Sequence, residues 1–174
     1  MSKNTTKEFI ESMNFKYFET YSFQRKGDFD IYETLLNRYI KDENSLTKEE
    51  YLKLRSFKSS DLYSEKNNYI ITADNKINEL AELVYSFDQS INTKNKLVEI
   101  LQTTFVSSIT WMCMPVYRDA ILFYDDKHNL IDGINICFEC SSIVNLNKER
   151  ISTDETVYPK LKDFLRSLGH KIKW

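Results

Sequence analysis

Hydrophobic positions along the chain follow a helical spacing through its middle. Between Asp30 and Tyr39 the apolar residues recur every three to four positions, as in a helix that buries one face. Thr47 and Glu50 match a capping box, in which each side chain accepts a free backbone N–H of the other residue, so a helix is predicted to begin there. Further helices are predicted at 74–87, where Asp74 caps Ile77, Leu80, Ala81, Val84 and Phe87, and at 93–102.

The spacing changes to a β pattern at both ends of this helical part. Residues 15–23 alternate aromatic and polar side chains, and residues 67–74 also resemble a short strand. Two β-rich runs flank the polar tetrapeptide DKHN, which predicts a hairpin in which Asp125 faces Leu130. A final helix carries Leu161, Phe164, Leu165 and Leu168 on one face, with Gly169 at its C-cap.

Together these patterns predict an α+β fold with one domain over residues 1–174. It has a helical middle, a small antiparallel sheet containing a hairpin at about 119–139, and a C-terminal amphipathic helix. The chain has 174 residues, of which 41% are hydrophobic and 29% charged, as in a folded protein.

Composition and charge exclude several functions. The formal net charge of −2 argues against a general nucleic-acid or anionic-membrane binder, which would carry a basic excess. Gly27, Gly133 and Gly169 stand alone, so no P-loop or dinucleotide-binding motif can form. The first residues lack the apolar core of a signal peptide, and no apolar run is long enough for a membrane helix. We therefore expect a cytoplasmic protein, or a periplasmic or exported one if a leader has been trimmed.

The three cysteines are the candidates for redox or metal chemistry. Cys137 and Cys140 would lie roughly 10 Å apart in a strand, beyond the roughly 7 Å that a disulfide allows between Cα atoms. In the hairpin register Cys113 is a diagonal neighbour of Cys140, at about 7–8 Å, and a register shift at Pro115 would permit a bond. Zinc would need a fourth ligand such as His170. The favoured interpretation is that the cysteines are buried free thiols that behave as small hydrophobic residues.

No catalytic residue or cofactor is assigned. Cys137, His170 and Glu139 offer a nucleophile, a base and a carboxylate, but nothing in their spacing favours a catalytic set, so an enzyme is less favoured than a non-enzymatic protein. Candidate interaction residues lie around the cysteines: Tyr117, Arg118, Asp119 and Glu139. An arginine such as Arg118 can bind a carboxylate through two hydrogen bonds.

The segment from Cys113 and Pro115 through AILFYD to ICFEC resembles small uncharacterised proteins of Bacteroidota bacteria. The resemblance covers residues 113–140 and implies no activity. With its many tyrosines, which suit interfaces, the chain is predicted to be a protein-binding protein, such as a bacterial immunity protein that neutralises a cognate toxin. Its partner would be a protein, without membrane and with nucleic acid not expected. The alternative is a thiol-based redox or metal-binding protein that uses Cys113, Cys137 and Cys140.

Overall fold

The computed structural model describes residues 4–23, 28–56, 69–86, 91–108 and 113–172. They belong to two compact units, one formed by Met1–Ser22 with Glu82–Trp174 and the other by Phe23–Ala81. The described helices are α1 (Thr6–Glu11), α2 (Asp28–Lys41), α3 (Lys48–Ser56), α4 (Ile91–Leu101) and α5 (Val157–Ser167). The described strands are β1 (Tyr17–Ser22), β2 (Glu82–Ser86), β3 (Asp119–Tyr124), β4 (Leu130–Cys137) and β5 (Ser142–Asn145).

The strands form one antiparallel sheet in the order β2-β1-β3-β4-β5. This arrangement of sheet and helices confirms the predicted α+β class, with its hairpin and C-terminal helix. The prediction of a single domain over residues 1–174 stays a prediction.

The β3–β4 hairpin has the predicted register over most of its length. Pairs run from Asp119–Ile136 to Phe123–Asp132, the same set that follows from counting outwards from the DKHN turn. A bulge then pairs Tyr124 with Leu130, so the register shifts by one residue beside the turn. The chain turns where Asp125 accepts the backbone N–H groups of Lys127 and Asn129, both at 2.8 Å.

Gly133 in β4 is closely packed against the neighbouring strand β3. A Cβ atom there would lie 2.6 Å from Leu122 Cδ2 and 2.8 Å from the Ile121 carbonyl oxygen. Both distances are shorter than real Cβ contacts allow. Glycine is therefore required by packing at this position.

One face of the sheet packs against helices and forms the main hydrophobic core. The fully buried side chains of Phe18, Ile121, Phe123 and Ile134 lie on this face. Residues from the helices complete the cluster: Phe9 and Ile10 of α1, Leu97, Ile100 and Leu101 of α4, and Leu161, Phe164 and Leu165 of α5. The predicted leucine–phenylalanine face of the last helix is thus buried against the sheet.

Alternation along β1 places Tyr17, Glu19 and Tyr21 on the opposite face of the sheet. Phe18, which breaks the aromatic–polar alternation in the sequence, is the residue that enters the helix-covered core. Phe15 precedes β1 and joins the same core, with its ring 4.9 Å from that of Phe123. Alternation alone would place Phe15 and Tyr17 on the same face of the strand. In the structure they lie on opposite faces.

The unit formed by Phe23–Ala81 contains α2, α3 and a short 3₁₀ helix, Glu43–Ser45. The predicted capping box is confirmed, because the Glu50 N–H donates to Thr47 Oγ1 at 3.2 Å and the Thr47 N–H donates to Glu50 Oε2 at 2.9 Å. Glu50 also pairs with Arg38 of α2 at 2.7 Å, so one carboxylate both begins α3 and joins the two helices.

The predicted helix at 74–87 is wrong. Residues Glu82–Ser86 form β2, and Ile77 pairs with Ile71 in an isolated antiparallel bridge. Asn78 lies between the bridge and β2. Its side-chain oxygen accepts a hydrogen bond from the Leu80 N–H at 2.9 Å, and this bond competes with the backbone hydrogen bonds of a helix. Within the strand predicted at 67–74, the described residues form the bridge at Ile71. Residues 67 and 68 of that predicted strand, and residue 87 of the predicted helix, lie outside the described residues.

Candidate functional site

A disulfide joins Cys113 to Cys140, with 6.0 Å between their Cα atoms. Cys140 does not lie in a strand, because β4 ends at Cys137 and pairs there with Ser142. Cys140 therefore belongs to a four-residue turn between β4 and β5, which the left-handed Ser141 (φ 45°) helps to close. The turn brings Cys140 closer to Cys113 than the diagonal of an extended ladder would.

Cys137 is a buried free thiol next to this bond, with 1% of its surface exposed. Burial raises the pKa of Cys137, while the backbone N–H of Cys140 acts in the opposite direction. Within the described ranges, no group of three His, Cys, Asp or Glu side chains is arranged to hold a metal ion. His170, the fourth zinc ligand considered from the sequence, is bound elsewhere.

Two exposed side chains belong to residues that directly adjoin the bonded cysteines in the sequence. Met114, next to Cys113, is 84% exposed, and its carbonyl oxygen lies 3.6 Å from Cys140 Sγ. Glu139 has a 62% exposed side chain and pairs at 3.4 Å with Arg118, whose own side chain is 13% exposed. We call these five residues the disulfide corner. It presents one apolar and one acidic group on a covalently fixed turn.

Two of the candidate interaction residues, Tyr117 and Asp119, are buried. Tyr117 is 4% exposed, and its hydroxyl lies 3.3 Å from Ser142 Oγ. Asp119 is fully buried because it begins β3 on the helix-covered face of the sheet. Arg118 and Glu139 are the two members of the predicted set that the structure brings together at the surface.

Asp119 belongs to a buried polar network that the sequence did not predict. His170 Nδ1 lies 2.7 Å from Asp119 Oδ1, and His170 Nε2 lies 2.8 Å from Thr20 Oγ1. Gly169, with φ +110°, lets the chain turn after α5 and direct His170 back into the core. The order carboxylate, imidazole, hydroxyl is that of a catalytic triad, but all three residues are buried. Hydrogen bonding that satisfies buried polar groups accounts for the arrangement.

The same network bears on Cys137, His170 and Glu139, which the sequence offered as a possible nucleophile, base and carboxylate. Both His170 ring nitrogens are engaged by Asp119 and Thr20, and Glu139 pairs with Arg118. The structure therefore does not assemble these three residues into a nucleophile, base and carboxylate.

A second polar group lies on the other face of the sheet, towards the β3–β4 turn. Glu19 Oε2 accepts hydrogen bonds from the hydroxyls of Tyr21, at 2.6 Å, and Tyr124, at 2.8 Å. Burial raises the pKa of both tyrosines, and the hydrogen bonds to Glu19 add to this effect. Tyr17, the cross-strand partner of Tyr124, stacks on His128 with ring centroids 4.5 Å apart.

We call Tyr17, Glu19, Tyr21 and Tyr124 the tyrosine–glutamate site. Its β1 members have a signal in the sequence, because residues 17, 19 and 21 share one face of any strand. The contribution of Tyr124 could follow from the sequence only if the pairing of β1 with β3 were known.

Comparison of the chain with protein-family models, with curated proteins and with solved structures found no match. Among the described residues, no helix is both long and apolar enough to cross a bilayer.

Proposed function

We propose that the chain is a non-enzymatic protein-binding protein, and specifically an immunity protein that neutralises a cognate toxin. The observation that carries this proposal is the disulfide corner, where Met114 is 84% exposed next to Cys113 and the acidic Glu139 is exposed next to Cys140. Methionine is enriched in interfaces, and a pre-organised turn loses little conformational freedom on binding.

The fate of the reactive side chains supports the same proposal. His170 and Asp119 are buried and hydrogen-bonded to each other, and Cys137 is a buried thiol with a raised pKa. Groups in such surroundings stabilise a fold more readily than they contact a substrate. The exposed features of the corner, by contrast, suit recognition of another protein.

The disulfide also bears on where the proposed encounter takes place. Disulfides persist in oxidising compartments and are rare in the cytosol, where thiols are kept reduced. The Cys113–Cys140 bond thus favours a periplasmic or exported protein over the cytoplasmic location expected from the N-terminal sequence. An immunity protein at that location would meet a toxin outside the cytoplasm.

The proposal is tested with the product of the neighbouring gene as the toxin. Cells that produce this product should survive when the protein is co-produced in the same compartment, and calorimetry on the two purified proteins should show direct binding. The substitution Met114→Glu should weaken binding about tenfold or more if Met114 is a central contact. Ile91→Glu is the matched control, because Ile91 is 67% exposed on α4 and lies outside the corner. Absence of both protection and binding would overturn the proposal.

A thiol-based redox protein is the second candidate, and the disulfide beside a third cysteine favours it. In that case the Cys113–Cys140 bond would be reduced and reformed during function. Titration of the reduction potential separates the two candidates, since a structural bond lies below about −300 mV and a functional one lies higher.

A further inference from the structure

The tyrosine–glutamate site has the composition of a receptor for a cation. Glu19 is partly exposed. The hydroxyls of Tyr21 and Tyr124 both donate their hydrogen bonds to the same carboxylate oxygen, Glu19 Oε2. Within the part of the chain that the structure describes, no lysine or arginine forms an ion pair with Glu19. The Glu19 carboxylate is thus held among aromatic rings, and the described residues supply no cation to balance its charge.

The site is fixed in place before any ligand arrives. Tyr17, Glu19 and Tyr21 are alternate residues of β1, and Tyr124 lies on the adjacent strand directly opposite Tyr17. The two hydroxyl donors orient the Glu19 carboxylate. Preorganised groups of this kind bind a ligand without paying to become ordered.

The stacked pair Tyr17–His128 adds an aromatic wall. Their rings are nearly parallel, with 11° between their planes. His128 has φ 63°, a left-handed conformation that is uncommon for residues other than glycine. The turn therefore holds a histidine in a conformation that glycine would adopt at lower cost, and this places the imidazole on Tyr17.

We propose that this site receives an arginine side chain of the protein partner. The guanidinium is planar, stacks on aromatic faces and donates hydrogen bonds to a carboxylate, which matches the tyrosine rings and the second oxygen of Glu19, Oε1. The inference rests on the proposed binding function and names the chemistry of the partner contact.

The test uses a blocked tripeptide, acetyl-Gly-Arg-Gly-amide, and the intact protein with ¹³C-labelled tyrosine rings. Saturable shifts of the Tyr17 and Tyr124 ring resonances are expected. The neutral norleucine peptide should produce none. Glu19→Gln keeps the size of the side chain but removes its charge, and it should weaken binding about tenfold or more, since hydrogen bonds to charged groups are the stronger ones.

Asp126→Asn is the control variant, because it removes an exposed carboxylate from the adjacent turn and should change the affinity less than twofold if Glu19 is the ligand. Equal binding of the arginine and norleucine peptides, or unchanged binding in Glu19→Gln, would overturn the assignment. So would equal binding of a lysine peptide, since it would remove the guanidinium specificity. The titration involves no partner protein, so its failure is distinct from a failure of the toxin experiment.

Discussion

Breaking the Cys113–Cys140 bond should destabilise the protein by an amount that follows from the loop it closes. The two residues are 27 positions apart. On the loop-entropy model such a cross-link removes about 12 cal/mol/K from the unfolded chain, or about 3.5 kcal/mol at 25 °C. For a chain of this size, that loss lowers Tm by roughly 7–14 °C.

Urea unfolding followed by tryptophan fluorescence measures this difference. The variant Cys113→Ser/Cys140→Ser should lose about 3.5 kcal/mol, and dithiothreitol should reduce the stability of the wild type by the same amount. The reductant should have no further effect on the double variant. Cys137→Ala is the matched control, because it alters a buried cysteine but leaves the bond intact, so its stability should still fall when reductant is added.

Digestion of the unreduced protein identifies the bond directly. Cleavage after Glu139 separates Cys137 from Cys140, and trypsin cleaves after Arg118, Lys127 and Lys148. Peptide 128–139 should then be released with a free thiol, while 140–148 stays joined to the peptide that contains Cys113. A joined peptide 128–139 would refute the Cys113–Cys140 pairing, and an unchanged urea midpoint of the wild type in reductant would refute its stabilising effect.

Three further predictions concern buried contacts. Asp154→Ala should cost about 3 kcal/mol in urea unfolding, because the carboxylate accepts the N–H groups of Val106, Ser107 and Thr156. These bonds and the Thr156 hydroxyl lower the pKa of Asp154, so its contribution should be complete above the unfolded pKa of about 4 and fall as the pH drops below it. A pH series that shows the same loss in the variant would contradict this assignment. Gly133→Ala should cost about 1–3 kcal/mol by overpacking, and Tm should fall accordingly; an unchanged Tm would show that the neighbouring strand can move. His170→Leu should cost about 3–5 kcal/mol by removing the imidazole that pairs with the buried Asp119 carboxylate, whereas the exposed His128→Leu should cost far less in the same denaturation assay.

The sequence predicted the elements whose signals are local. The β3–β4 hairpin and most of its register followed from a polar tetrapeptide between two apolar runs, because the turn sets the pairing. The start of α3 followed from the capping box of Thr47 and Glu50. The same pattern occurs at Thr5 and Glu8, where the structure shows a capping box and α1, although no helix was predicted there.

The helix predicted at 74–87 shows where local spacing misleads. A few apolar residues at intervals of three and four also fit a turn followed by a strand, and pairing with β1 decides between the two. Asn75, with φ 58°, and the Asn78 side chain turn the chain before Glu82. In the sequence alone, the two asparagines are weaker indicators of structure than the helical spacing of the apolar residues.

The sites depended more strongly on tertiary structure. The disulfide was one of several arrangements left open, because its geometry depends on a turn at Cys140 that an extended strand would not give. The His170 network joins residues that are 51 and 150 positions apart, so no sequence motif can indicate it. Asp119, a candidate interaction residue from the sequence, is buried and holds His170 in the core.

The position of the disulfide has a consequence for the chain when it is unfolded. The bond lies beyond the open end of the β3–β4 hairpin, opposite the turn that follows Asp125, so the residues between Cys113 and Cys140 form a closed ring. Within that ring β3 and β4 cannot separate widely or slide far past each other. If the two ends of the chain were pulled apart, this ring would not lengthen, and the extension on unfolding would be shorter by roughly 27 residues at 3.3–3.6 Å each. Addition of reductant should restore this length.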